Sequence, residues 1–410
     1  MEDTSWKKVV LAGCTVVMIA FCARGQDWPQ WRGPNRDGKV TGFTAPQQWP
    51  DTLAQKWKVT VGTGCATPAL VGEKLYVLTR QGDEEVIRCL DANTGQEHWK
   101  DTYAAQEVTG AAGRHPGPRS SAAVAQGKVV TLGVGGVLSC LDAATGKLAW
   151  RKDPFPKVVP KFFTSMSPII VDEMAIAHLG GQDNGAIIAY DLSTGDEKWR
   201  WAQEGPDYGS PVLLTAEGTR QIVTPTEKSI VGVSVAEGKL LWHIPFPPQR
   251  RAYNAATPIV RGQTVIYTGA GRGTHAVKIE KDGDGFAARE LWSNADVAVQ
   301  YNTPVLKNGS LFGLSNRGNL FCINAETGQT AWLDETQRDR GGFCAIVDVG
   351  ACLLAVPSNA EMLVFQPSRE KYAELAKIKV ADTPTYAHPV VAGHRIYVKD
   401  QETLALLVFE

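Results

Sequence analysis

Several groupings in this chain have residue types that could do chemistry, and each can be tested against the spacing that chemistry demands. Gly33-Pro34-Asn35-Arg36-Asp37-Gly38-Lys39 has the interval of a phosphate-binding loop. Val40, however, stands where a Ser or Thr hydroxyl should hold magnesium, and no strand precedes the glycines, so that reading fails. Asp282-Gly283-Asp284-Gly285 offers alternating carboxylates that a hard cation such as calcium could use. The remaining acidic ligands of a strong site are missing, and the extended turn of a hairpin is the better reading. The chain carries no Gly-x-Ser-x-Gly elbow, His-Glu-x-x-His zinc pair or Cys-x-x-Cys-His haem attachment. Its seven histidines are scattered, and His98 and His243, beside Trp99 and Trp242, read as strand or surface residues.

A recurring set of aromatic, amide and basic residues is more informative. Arg114, His115 and Arg119, then Phe163 and Thr164, Tyr208, Tyr253 with Asn254, Tyr301 with Asn302, Arg340 with Phe343, and Tyr386 each precede one copy of a repeated unit. Such groups suit a rim that binds a peptide or a sugar. The competing reading is that they plug a channel and satisfy turns.

The elements that must position them follow from self-comparison. A ten-residue phrase runs from Leu90 to Trp99 (LDANTGQEHW) and returns at Leu141 to Trp150, Tyr190 to Trp199, Val233 to Trp242 and Ile323 to Trp332. A degenerate copy, stretched by an insertion, runs from Val277 to Trp292. In each, an apolar strand ends at Asp or a related residue, a Thr-Gly type turn lets Gly take positive φ, and a second strand carries the Trp. Upstream of each phrase is a Ser/Thr-Pro type hairpin, first seen in Thr67-Pro68-Ala69-Leu70-Val71-Gly72-Glu73-Lys74-Leu75-Tyr76-Val77. Further copies start near Ser121, Ser167, Ser210, Thr257, Thr303, Cys344 and His388. A spacing of about 46 residues is the length of a four-stranded propeller blade. The expected fold is therefore all-β, an eight-bladed β-propeller of four-stranded blades.

The last copy stops one strand short, at Leu404 to Phe409, while an unpaired strand, Leu53 to Val61, precedes the first. Pairing the two would close the ring and remove an open edge. Trp57, Trp99, Trp150, Trp199, Trp242, Trp292 and Trp332 then occupy one position in seven blades, and Tyr372 is expected to stand in for the missing ring of the seventh. Cys89, Cys140 and Cys322 take equivalent positions in different blades, too far apart to bridge, and read as small buried thiols. Cys344 and Cys352 could face each other across a hairpin.

The N-terminus reads as an export signal: Lys7 and Lys8 precede an apolar run from Val9 to Ala23, shorter than the roughly 20 residues that span a bilayer. Cleavage after Gly25 is expected, leaving no transmembrane span and a soluble periplasmic or secreted protein. A lipoprotein route through Cys14 or Cys22 is the alternative. The chain thus divides into a signal peptide (1–25), an aromatic and Pro-rich cap segment (26–52) and the propeller (53–410). Trp28 and Trp31, beside Pro29 and Pro34, are expected to lie outside the blades, against the outer wall or base of the ring. With 42 Lys and Arg against 43 Asp and Glu, nothing favours a phosphate backbone as partner.

The alternation of the Leu-Asp-Ala-x-Thr-Gly-x-x-x-Trp phrase with the Ser/Thr-Pro hairpin resembles the PQQ-like propeller repeat family. That family includes quinoprotein alcohol dehydrogenases and the BamB-like propeller lipoprotein of the outer-membrane assembly machinery. The opening from Asp27 to Gly38 is similar to the start of many exported members. The resemblance implies that the tryptophans pack between adjacent blades as structural docking residues. It implies two functions. One is a non-catalytic cell-envelope binding or scaffolding propeller; because propellers usually bind at the axial mouth, a protein or extended ligand is expected there on Arg119, Tyr208, Tyr253, Asn254, Tyr301, Asn302, Arg340 and Tyr386, with the chain a monomer without metal or cofactor. The other is a PQQ-dependent alcohol or sugar dehydrogenase using calcium; the adjacent cysteine pair of those enzymes is absent, and no catalytic residue carries over.

Overall fold

A computed structural model describes residues 26–249 and 251–409 of the chain. The signal-peptide expectation for 1–25 lies outside the described residues. The strands form eight four-stranded antiparallel sheets arranged as a ring, an eight-bladed β-propeller. In blade 1 the chain runs outward through Ala69–Val71, Lys74–Gln81, Glu84–Asp91 and Glu97–Ala104. The innermost strands of blades 2 to 8 are Ala123–Ala125, Ile169–Val171, Val212–Ala216, Ile259–Arg261, Val305–Lys307, Cys344–Asp348 and Val390–Ala392. Blade 8 is completed from the N-terminal side: Ala54–Thr60 pairs antiparallel with Thr403–Val408, Trp57 opposite Leu406. This is the closure expected from the strand count, and the edge it covers would otherwise offer unpaired backbone groups.

The repeated phrase builds the joint between blades. Asp91 Oδ1 accepts the backbone N–H groups of Asn93 and Thr94 and the Thr94 hydroxyl, which folds the turn tightly before Gly95 takes φ +74°. The same carboxylate network recurs at Asp142, and at Asp191 the turn's N–H groups and Lys198 hold the carboxyl down at about 2. Trp99 donates from Nε1 to Ala143 O of the next blade, Trp150 to Leu192 O, Trp199 to Val235 O, Trp292 to Ala325 O and Trp57 to Ala92 O. Each of these rings also covers the turn glycine of the following blade. A Cβ at Gly195 would lie 2.6 Å from the Trp150 ring, and one at Gly238 2.4 Å from Trp199. Cys89, Cys140 and Cys322 sit directly across the strand pair from Trp99, Trp150 and Trp332, and all six cysteines of the described residues are free.

Two blades depart from the pattern. The insertion at Asp282-Gly283-Asp284-Gly285 is the tip of a long hairpin, Gly273–Asp282 with Gly285–Asn294, so blade 5 has no Thr-Gly turn to receive Trp242. Trp242 instead donates to Gln221 Oε1 in its own blade, at 2.6 Å. In blade 7 the expectation for Tyr372 is corrected. The register puts Ala376, opposite Val364, at the tryptophan position, while the Tyr372 ring packs back against Trp332 of blade 6 with centroids 6.2 Å apart.

The N-terminal segment is also corrected. It lies inside the axis of the ring, not against its outside or base. Trp28 exchanges two backbone hydrogen bonds with Leu70 on the innermost strand of blade 1, both 2.8 Å. Pro29 O accepts from Val124 N of blade 2, and Gly38 and Val40 pair with Asp348 of blade 7. Arg36 donates to Ser167 O and Pro168 O of blade 3, and Arg32 to Thr303 O and Pro304 O of blade 6. Proline does bar regular pairing here, so the contacts are single bridges and guanidinium clamps. Eight short inner strands cannot meet at the axis, and the segment fills that gap; Trp28 is fully buried there and Trp31 half-buried.

Candidate functional site

At one end of the axis, the Ser and Thr residues that begin the inner strands form a chain of hydrogen bonds around the ring. Each hydroxyl accepts the N–H of the corresponding residue in the preceding blade: Ser121 from Thr67, Ser167 from Ser121, Ser210 from Ser167, Thr257 from Ser210, Thr303 from Thr257, and Thr67 from His388. The distances are 2.8–3.0 Å. Cys344 and His388, which lack a hydroxyl, occupy the two remaining places.

This ring fixes what stands above it. Two positions before seven of the eight places, Cys65, Arg119, Ser165, Tyr208, Ala255, Tyr301 and Tyr386 line a cavity of about 430 Å³ at the mouth of the axis. Tyr253, Phe162, Phe343 and His115 complete the wall. The aromatic rings form two connected arcs. In one, Phe162, Tyr208 and Tyr253 meet at centroid distances of 5.1–6.3 Å. In the other, Tyr301 stacks on Phe343 at 4.7 Å, Phe343 meets Tyr386 at 5.2 Å, and Tyr386 meets His115 at 4.9 Å. Tyr208 Oη accepts the Phe162 N–H at 3.0 Å, which locks the first arc, and burial pushes its phenol well above the ordinary value.

Of the residues expected at the mouth, Arg119, Tyr208, Tyr253, Tyr301, Asn302 and Tyr386 come together here. Asn254 and Arg340 do not. Asn254 is buried, its Nδ2 donating to Thr226 O and Phe246 O, so it ties the rim to blade 4. Arg340 is exposed and does not line the cavity. The amide of Asn302 borders the cavity, yet it donates to Leu314 O and Gly342 O. Phe163 is set back by one residue: at φ +65° it turns into the wall, and Phe162 reaches the cavity. Cys65, Ser165 and Ala255 were legible from their place two residues before the hydroxyl. Trp31, the floor, had no such signal. Its ring meets His388 edge-on at 5.7 Å and lies beneath the guanidiniums of Arg32 and Arg36 at 5.5 and 5.9 Å.

The electrostatics are lopsided. Arg119 donates to His115 O at 2.9 Å and leaves Nη1 without a partner, while burial and then the neighbouring Arg119 and Arg114 lower the His115 pKa. Among the described residues, no carboxylate lines the cavity. A calcium-bound quinone needs acidic oxygen ligands for the metal and a carboxylate base, so these residues do not fit it. Among the described residues no group of three or more His, Cys, Asp or Glu side chains could hold a metal ion, and no helix is long and apolar enough to cross a membrane.

Known proteins agree with this architecture. The chain is 22% identical over 409 residues to the outer membrane protein assembly factor BamB of Shewanella oneidensis, covering 97% of this chain and 87% of that protein. It is 26% identical over 275 residues to the quinohemoprotein alcohol dehydrogenase of Comamonas testosteroni, covering 65% of this chain but spanning 36% of the dehydrogenase. Among solved structures, BamB from Moraxella catarrhalis superposes with a TM-score of 0.65 at 14% identity, over 87% of this chain and 100% of that one. The Comamonas dehydrogenase gives 0.67 at 16% identity, over 95% and 81%. At such identities these superpositions speak for the fold. The family model described as outer membrane protein assembly factor BamB matches residues 82–333, more than half of the chain, and the chain belongs to that family of PQQ-like repeat propellers.

Proposed function

We propose that this chain is an exported, non-catalytic propeller of the cell envelope, acting as a monomer in the periplasm or outside the cell, that binds a protein segment or another extended ligand at its axial mouth. The observation that carries this is the composition of the cavity: two arcs of aromatic rings, one partly unpaired guanidinium and no carboxylate, over a floor closed by Trp31. Aromatic walls of this kind supply contact area at small entropic cost, and Arg119 supplies direction. Because the floor is closed, a ligand enters as an end or a loop and does not thread through. The family's relatives named as assembly factors support a binding role.

The test uses a panel of aromatic-rich peptides titrated against the purified chain, with Tyr253→Ala, Tyr301→Ala and Arg119→Ala as variants. Binding should weaken at least about tenfold in each variant, as for central aromatic and arginine contacts. Equal affinity for parent and variants would remove the mouth from the binding role. In parallel, incubation with PQQ and calcium that produces a cofactor absorbance and dye-linked alcohol oxidation would replace this reading with the dehydrogenase one.

A further inference from the structure

The axial segment divides the channel unevenly. On the side away from the mouth it leaves a second cavity, about 320 Å³, that shares no residue with the first. One wall is the segment itself, including Arg32, Arg36 and Asp37; the other is Ile169 of blade 3 and the inner strands of blades 4 and 5, with Leu213, Ile259 and Val260. The third residue after the hydroxyl position shows what this geometry means. In blade 1 that residue is Leu70, which pairs both ways with Trp28; in blade 2 it is Val124, whose N–H donates to Pro29 O. The corresponding residues of blades 4 and 5 are Leu213 and Val260. Among the described residues, no bond from the axial segment reaches either of them. Leu213 is 38% exposed, although it sits on the innermost strand of its blade.

The charge of this cleft is equally unbalanced. Arg32 and Arg36 are almost completely buried and clamp backbone carbonyls; among the described residues neither forms a salt bridge and the Nε of each lacks an acceptor. Asp37 is the carboxylate on the same wall, and its Oδ1 accepts the Lys39 N–H. Burial lowers both guanidiniums, Arg32 to about 10 with Asp37 partly opposing the shift and Arg36 to about 9. A carboxylate brought into the cleft would offset that cost.

We propose that this cleft is a second binding site, one that takes an extended acidic peptide segment. The segment's backbone pairs with the inner edge of blade 4 at Leu213, its apolar side chains pack on Ile259 and Val260, and a carboxylate faces Arg32 and Arg36. The axial segment is the precedent within the same molecule, since extended backbone already pairs with the equivalent inner edges of blades 1, 2 and 7.

Isothermal titration of the purified chain with acetyl-Val-Glu-Val-Glu-Val-amide tests this. Three losses of at least about tenfold in affinity are expected: with the Lys-for-Glu peptide, with the peptide N-methylated at its central residues, and with the variants Leu213→Glu and Val260→Glu. The two variants change partly exposed cleft residues, and circular dichroism checks that each folds. Equal affinity for the Glu and Lys peptides would overturn the charge argument, and full binding of the N-methylated peptide would overturn backbone pairing. Undiminished binding by both folded variants would overturn the location. Loss of binding in Tyr253→Ala with retention in Leu213→Glu would place the peptide in the mouth and refute the second site, leaving the mouth's own role intact.

Discussion

At the scale of single residues, the blade joint rests on an indole seated over a glycine. Trp150→Ala removes a buried ring and its bond to Leu192 O, and should cost about 3–5 kcal/mol of unfolding free energy. A urea-unfolding loss below about 1 kcal/mol would place that ring outside the load of the joint. The glycine side of the contact separates two effects. Gly72→Ala, at φ +59° with open space around it, should lose about 1–2 kcal/mol for the backbone alone. Gly195→Ala, at φ +76° with its Cβ against Trp150, should lose about 3 kcal/mol or more. Equal losses would mean that the indole moves aside freely. The buried histidines predict the acid response. Burial lowers His178 to about 4 and His388 to about 3, from 6.5, so at pH 5 each is neutral when folded and protonated when unfolded. The unfolded state then binds more protons, and stability falls as pH drops below 6.5, by about 2 kcal/mol per histidine at pH 5. Urea midpoints at pH 7 and pH 5 should therefore differ less in His388→Gln than in the parent; an unchanged difference would contradict this.

At the scale of elements, periodic signals were legible to within a residue or two and irregular ones were not. The unpaired strand expected at Leu53 to Val61 is Ala54–Thr60, and its expected partner Leu404 to Phe409 is Thr403–Val408. Alternating burial along a strand and a Gly turn are local properties, so the sequence carries them directly. Tyr372 misses the tryptophan position because the chain from Ser368 onward replaces the Thr-Gly turn, and an aromatic residue near the right place says nothing about register. Backbone pairing decided it, by setting Ala376 opposite Val364. Closure gives a prediction at this scale. Removing residues 26–62 takes away the outer strand of blade 8 and exposes Thr403–Val408 as a free edge, which should drive aggregation visible by light scattering. Removing residues 26–42 keeps that strand and should leave a monodisperse protein. Identical behaviour of the two truncations would detach solubility from ring closure.

At the scale of the whole molecule, the axial segment ties together blades that are not neighbours in the ring. It reaches blades 1, 2, 3, 6 and 7 by backbone pairing or guanidinium clamps, and it supplies the floor that separates two cavities. Deleting residues 26–42 should leave the far-ultraviolet β signal unchanged, because no blade loses a strand, while lowering the unfolding midpoint. Hydrogen exchange should accelerate at the amides of Leu70, Val124 and Asp348, which lose their acceptors. Collapse of the β signal would show that the segment is required for the ring to form, and unchanged exchange would show that those amides are protected by something else.

By itself the sequence determined the blade count, the closing strand, the equivalence of the tryptophans and the loops that meet at the mouth. All of these repeat or complete a repeat, and repetition turns local patterns into a global ring. Tertiary structure decided what occupies the axis. Asp27 to Val40 has no copy elsewhere in the chain, and its contacts join it to residues as distant as Asp348, so no local pattern could reveal them. The same holds for the choice among mouth residues. Asn254 and Tyr253 are adjacent in sequence, but one turns inward to hold backbone carbonyls and the other faces the cavity, a difference set by the packing of neighbouring blades.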